Sequence, residues 1–169
     1  MRWLKSREQE RESGSGIDIP MLERELGVRI GERGRVVLSL ACAEMNRSKH
    51  RELDAEHVIV GVIEEGGPAA QLLAEHGLTL DKARAQIAEA LWEAGDSVEG
   101  VEITPETRNI LAIAAEAAGL RGQATIEPEH MTYGFACSGL GITSRVAHVS
   151  LNRPKLLKAC ERLLIQNGA

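Results

Sequence analysis

Aromatic side chains are nearly absent from this chain, which has two Trp, one Tyr and one Phe in 169 residues. Strands rely on aromatic and β-branched residues for their cross-strand pairs, whereas Ala, Leu, Ile and Val suit closely packed helices, so an all-α protein is expected. Cysteine is sparse as well. Cys42, Cys137 and Cys160 are odd in number and have no Cys-x-x-Cys spacing, which argues against a disulfide framework and for reduced thiols in a cytoplasmic protein. No stretch approaches the roughly 20 apolar residues that span a bilayer, and the N-terminus lacks the apolar core of a signal peptide, so no membrane partner is expected. Positive charge is not in excess either. A formal charge of -5 leaves no global attraction for a phosphate backbone, and no clustered basic recognition helix is present, so nucleic acid is not an expected partner. Missing also are a G-x-x-x-x-G-K-[ST] nucleotide loop and a G-x-S-x-G nucleophile turn; enzymatic activity is not expected, and no cofactor is implied.

What the chain does have is a duplication shifted by 73 residues. The segment from Ile30 to His57 lies without a gap over the segment from Ile103 to His130. Arg35 pairs with Arg108, Val37 with Ile110, Leu38 with Leu111, Leu53 with Ile126, Glu56 with Glu129, His57 with His130 and Gly61 with Gly134. Two copies are too few for an open solenoid, which needs several stacked units with caps, so a closed pair related by a pseudo-twofold is expected.

The organisation follows from capping and breaker residues. Residues 1–16 are charged and then rich in Ser and Gly, which predicts a flexible arm with Trp3 as its one anchor-like group. Residues 17–29 form a short helical extension, in which Asp18, Pro20 and Gly27 bound a helix from Ile19 to Leu26. Repeat one occupies 30–94, with helices expected over Glu32 to Met45, Ala55 to Glu65, Pro68 to His76 and Leu80 to about Ala94. In the first of these, Val36, Val37, Leu40, Ala41 and Glu44 have the spacing of one buried stripe. Asp54 and Thr79 are read as caps, and Gly66-Gly67 and Gly77 as stops. Residues 95–102 form a linker. Repeat two occupies 103–166, with helices over Pro105 to Ala118, Pro128 to Cys137, Ile142 to Ser150 and Arg153 to Gln166.

Several motifs recur in order within these copies. They are Gly31-Glu32-Arg33-Gly34-Arg35 opening the first helix, Asp54-Ala55-Glu56-His57 running to Gly61 and again Glu127 to Gly134, the turn from Gly66 to Leu73, and the closing Leu78 to Arg84. Together they resemble the Clp repeat found in the N-terminal domain of ClpC-type unfoldases, over about Ile30 to Leu164. The resemblance implies two four-helix repeats forming a docking platform for adaptors and substrates. Without a nucleotide loop in the sequence, the expectation is a stand-alone docking domain that modulates a Clp protease, with Clp subunits, adaptors or marked substrates as partners. The alternative is a sensor or sequestering protein for a small molecule or cyclic peptide, independent of the protease. Ile30 and Ile103 stand where the family usually has Phe, which makes the surface implied for cyclic peptides less aromatic.

The resemblance also implies phosphoarginine recognition. Such a ligand is cationic and planar at one end and anionic at the other, and calls for a carboxylate and for helix-terminal N–H groups respectively. Glu56 and Glu129 match the family's recognition position. Thr104 is placed to cap the second copy's first helix, and Gly31 is its counterpart without a hydroxyl. Arg33 is the basic residue of copy one where copy two has Glu106, which makes the grouping of Glu56 with Gly31 and Arg33 the better candidate. A second reading of Glu56 and Glu129 stands beside this one, as first-turn acids that complement the helix dipole. His57 and His130 lack a partner at i+4 and are read as structural rather than metal ligands. Arg33, Arg35, Arg47, Lys49 and Arg51 are read as one solvated face, and Glu64, Glu65 and Glu75 as another.

Overall fold

The computed structural model describes residues 16–89, 100–138 and 151–167. These form α1 (Ile19–Leu26), β1 (Arg29–Ile30), α2 (Glu32–Arg47), β2 (Glu52–Leu53), α3 (Ala55–Glu65), α4 (Pro68–Glu75), α5 (Leu80–Glu89), β3 (Glu102–Ile103), α6 (Pro105–Leu120), β4 (Thr125–Ile126), α7 (Pro128–Ser138) and α8 (Arg153–Asn167). The arm up to Ser15, the helix expected over Ile142 to Ser150, most of the linker and the end of the helix expected to reach Ala94 lie outside the described residues. The class is all-α, and the helix boundaries follow the capping chemistry. Asp18 Oδ1 accepts the Met21 N–H at 2.9 Å, and α1 closes on Gly27 at φ 66°. Gly66 closes α3 in the same left-handed conformation, at φ 81°, where a Cβ would be strained.

At the centre are α3 and α7. Ala55 through Val62 of α3 are all buried, and so is nearly every residue of α7 from Pro128 to Ala136. A helix apolar on all sides needs neighbours on all sides. α2 packs along α3, and α6 along α7, with α4, α5 and α8 outside them. Small residues set the approach of each pair: a Cβ on Gly61 would fall on the Val37 carbonyl oxygen, and one on Gly134 on that of Ile110. These two contacts are 73-residue equivalents.

The stripe expected on α2 is rotated. Val36 is 45% exposed, and the buried set is Gly34, Val37, Leu38, Ala41, Cys42, Glu44 and Met45. The stripe turns because α2 faces two partners, α3 within its own repeat and α7 of the other. Four two-residue strands were not foreseen. β1 pairs in parallel with β4, Arg29 opposite Thr125 and Ile30 opposite Ile126; β2 pairs with β3, Glu52 opposite Glu102 and Leu53 opposite Ile103. Moving the first-copy strand forward by 73 residues and the second-copy strand back by 73 turns one ladder into the other. Each copy therefore contributes one strand to each of two seams, and the pseudo-twofold runs between them. Just beyond each ladder, Gly31 N–H donates to the Ile126 carbonyl at 2.9 Å and Thr104 N–H to that of Leu53 at 3.1 Å, again at equivalent positions.

The extension helix α1 is tied down by charge. Glu23 accepts the Ile30 N–H at 2.8 Å and pairs with Arg35 at 2.7 Å; the backbone bond leads in holding its carboxyl below the usual range. Arg108 of α6 pairs with Glu25, which sets α1 against the second repeat.

Candidate functional site

The two seams bring the starts of four helices together, two at each seam. Because β1 pairs with β4, the start of α2 lies beside the start of α7; because β2 pairs with β3, the start of α6 lies beside the start of α3. The residues singled out in the sequence are therefore grouped across the copies, not within them. Arg33 meets Glu129, Gly31 lies against Glu127, and Thr104 meets Asp54 at the α3 end that carries Glu56. Grouping Glu56 with Gly31 and Arg33 is corrected by this exchange.

At the first seam Arg33 is a clamp. Its Nη1 donates to Glu129 Oε1 at 2.9 Å, its Nε to Glu65 Oε1 at 2.7 Å and its Nη2 to Glu65 Oε2 at 2.9 Å. The Glu65 bond leads in raising the guanidinium pKa further, and the Glu65 carboxyl is held below its usual range by the same bond. The guanidinium also lies against Gly67, where a Cβ would strike it. Arg33 and Glu65 are thus partners and not members of separate solvated faces. One cation joins α2, the end of α3 and the first turn of the other repeat's α7.

Beside this clamp lies Glu127, which opens the second copy's Glu-His motif. Glu127 Oε2 accepts the Gly34 N–H at 3.3 Å, and the carboxylate fills the volume that a side chain on Gly31 would need. A carboxylate of the chain's own therefore sits on the N-terminal end of α2, where free amides attract anions. The second seam makes the complementary choice. Thr104 has the side chain that Gly31 lacks, and Asp54 is one methylene shorter than Glu127; the Thr104 hydroxyl donates to Asp54 Oδ1 at 3.2 Å while its oxygen accepts the Thr107 N–H at 3.3 Å. Gly with Glu at one seam and Thr with Asp at the other fill the same space. That exchange of size was the signal available in the sequence for Glu127.

Glu56 and Glu129 occupy equivalent places, each in a first helical turn and each 4% exposed. Their surroundings differ, since the counterpart of Arg33 is Glu106, an exposed acid. His57 and His130 each bond a backbone amide at a helix start. Asp54 N–H donates to His57 Nδ1 at 2.9 Å and Glu127 N–H to His130 Nδ1 at 3.0 Å, so each imidazole satisfies the amide before its helix; with the Asp54 side chain this makes a capping box in the first copy. Burial leads in pushing His57 down to about 4 and in lowering His130. Among the described residues no group of three or more His, Cys, Asp or Glu could hold a metal ion, and no helix is long and apolar enough to cross a membrane. Cys42 and Cys160 are buried free thiols, each raised to about 12 mainly by loss of solvent. Ile30 is a core residue, so of the two isoleucines at the family's Phe positions only Ile103 is partly exposed.

An open groove of about 630 Å³ runs between the C-terminal end of α1 and the outer face of α6, with Leu26, Val28, Ala112, Ala115 and Gly119 among its lining.

Comparison with known proteins gives a consistent result. The model of the Clp repeat (R) N-terminal domain matches residues 29–148. The negative regulator of genetic competence ClpC/MecB of Bacillus subtilis (strain 168) is 28% identical over 131 residues, which are 75% of this chain and 16% of that protein. The chain thus spans about one sixth of the length of such curated relatives. Among solved structures, the N-terminal domain of the chaperone ClpD from Arabidopsis thaliana has a TM-score of 0.67 at 22% identity, covering 80% of this chain and 94% of that one. The ClpV N-domain in complex with VipB peptide has a TM-score of 0.61 at 18% identity, covering 88% of this chain and 92% of that one.

Proposed function

We propose that this chain, which belongs to the Clp repeat N-terminal domain family, is a non-enzymatic docking domain that binds peptide segments of degradation substrates or adaptors and so modulates a Clp protease. The observation that carries the reading is the pair of seams, where helix starts from both repeats converge with Arg33, Glu129, Glu56 and Thr104. A fold of the same kind accommodates a peptide in the ClpV N-domain complex.

Recognition of phosphoarginine is the finer proposal, and the geometry makes it demanding. At the first seam a ligand guanidinium would have to take Glu129 from Arg33, and its phosphate would have to displace Glu127 from α2. The second seam presents the Thr104 cap but also Asp54 and Glu106. A carboxylate meets the phosphate in either case, which favours an unmodified peptide as the occupant. The sensor alternative, a small-molecule or cyclic-peptide sink, draws on the groove beside α1, whose volume falls in the range of ligand pockets.

Adding the purified chain to a reconstituted Clp unfoldase–peptidase degrading casein tests the reading. A change in degradation rate that saturates with added chain is expected, with no ATP hydrolysis or casein cleavage by the chain alone. An unchanged rate at large molar excess overturns it and leaves the sensor reading.

A further inference from the structure

The two repeats differ in how they hold their capping histidines. In repeat one His57 Nδ1 accepts the Asp54 N–H, so the ring's own proton sits on Nε2 and is donated to His50 Nδ1 at 2.7 Å. The backbone amide thereby sets the tautomer of both rings. In repeat two the same chain runs from Glu127 N–H to His130 Nδ1 and from His130 Nε2 to Gln123 Oε1. Gln123 is the 73-residue counterpart of His50. An amide oxygen accepts at every pH, whereas an imidazole accepts only while neutral.

A proton added to either ring of repeat one breaks this arrangement. On His50 Nδ1 it would face the His57 Nε2–H, donor against donor; on His57 Nδ1 it would face the Asp54 N–H. The affected stretch is the turn from Ser48 to Arg51 and the start of α3, adjoining the β2–β3 seam, where Thr104 N–H reaches the Leu53 carbonyl and its hydroxyl reaches Asp54. Lys49 in that turn has φ 57°, a conformation few non-glycine residues hold without support.

We propose that His50 and His57 form a pH-sensitive latch on the β2–β3 seam, closed while both rings are neutral and released when His50 takes up a proton, while the β1–β4 seam stays closed over the same range. Burial lowers the affinity of both rings for protons. Acting the other way on His50 are the charges of Asp54 before α3 and Glu44 of α2, and on His57 the charge of Glu44. Glu44 is itself answered by Arg47 on its own helix and Arg84 of α5. The half-buried His50 therefore titrates ahead of His57.

The test is an NMR titration of the whole chain from pH 8 to pH 4, following imidazole nitrogen shifts and the amides of Asp54, Thr104, Glu127 and Gly31. In the wild type, Asp54 and Thr104 are expected to move with the His50 midpoint, while Glu127 and Gly31 are unmoved over that interval. His50→Gln, which copies repeat two, is expected to remove that step and leave only the later His57 titration. Gln123→His is expected to bring the step to Glu127 and Gly31. Concerted movement of both seams, a step at Asp54 that persists in His50→Gln, or a Gln123→His variant that folds without gaining the step would each overturn the latch.

Discussion

Replacing Arg33 by Met keeps most of the side-chain stem and removes the cation from Glu65 of its own repeat and from Glu129 of the other, and the second substitution at Glu129 separates the part that joins the repeats. Glu129 is 4% exposed and would be left without the guanidinium 2.9 Å away, while Arg33 itself is 39% exposed. Stripping one partner from a fully buried pair costs about 3–5 kcal/mol, and an exposed pair is worth about 0–1 kcal/mol. Water reaching the carboxylates from the Arg33 side places this pair between those limits, at about 2 kcal/mol. For a chain of this size that corresponds to a fall in Tm of about 4–8 °C. Urea unfolding followed by circular dichroism measures it directly, and Glu129→Gln in the same background supplies the control. If the cost is the stranded charge, the double variant recovers about 1 kcal/mol or more of the loss and the cycle shows coupling between the two positions. A loss below about 0.5 kcal/mol, within the range of ordinary surface changes, or a double variant that simply adds the two single losses, would refute the reasoning.

Three further outcomes follow from equivalent contacts. Gly61→Ala and Gly134→Ala each drive a methyl onto a backbone carbonyl of the neighbouring helix, so each is expected to lose about 1–3 kcal/mol in urea unfolding despite alanine's better helix propensity; a gain in stability from either would show that the helices can move apart freely. Gly31→Thr, which writes the second seam's residue into the first, is expected to destabilise because Glu127 fills the space, and adding Glu127→Asp is expected to restore much of the loss. Two independent, additive effects would count against this. For pH, the folded pKa of His57 is about 4 against 6.5, so the fold keeps the neutral ring. Its contribution is full above about 6.5 and lost as pH falls to about 4, on the order of 3 kcal/mol over that window. Urea midpoints at pH 7.5, 5.5 and 4.5 should show the decline, and a His57→Asn variant should lack that part of the slope.

Local chemistry alone determined where most helices begin and end. Asp18, Asp54 and Thr104 each offer an oxygen to a nearby amide, Gly27, Gly66 and Gly77 each accept φ above zero, and those preferences act over three or four residues without help from the rest of the chain. The duplication, and with it the equivalence of Glu56 with Glu129 and of His57 with His130, was likewise plain from residue order. The capping role of the histidines was within reach, since Asp54 to His57 and Glu127 to His130 repeat the spacing of a capping box. Tertiary structure decided which of two overlapping stripes on α2 is buried, since Gly34, Val37, Leu38, Ala41, Cys42 and Met45 have helical spacing too and are the set that is covered, while Val36 is exposed. It also decided which helix starts meet. Ladders two residues long have no alternation to read, yet they exchange partners between the copies, placing Arg33 on Glu129 and Glu127 on the end of α2. A pairing between residues about a hundred positions apart depends on the closure of the whole body around α3 and α7, and no local propensity encodes it.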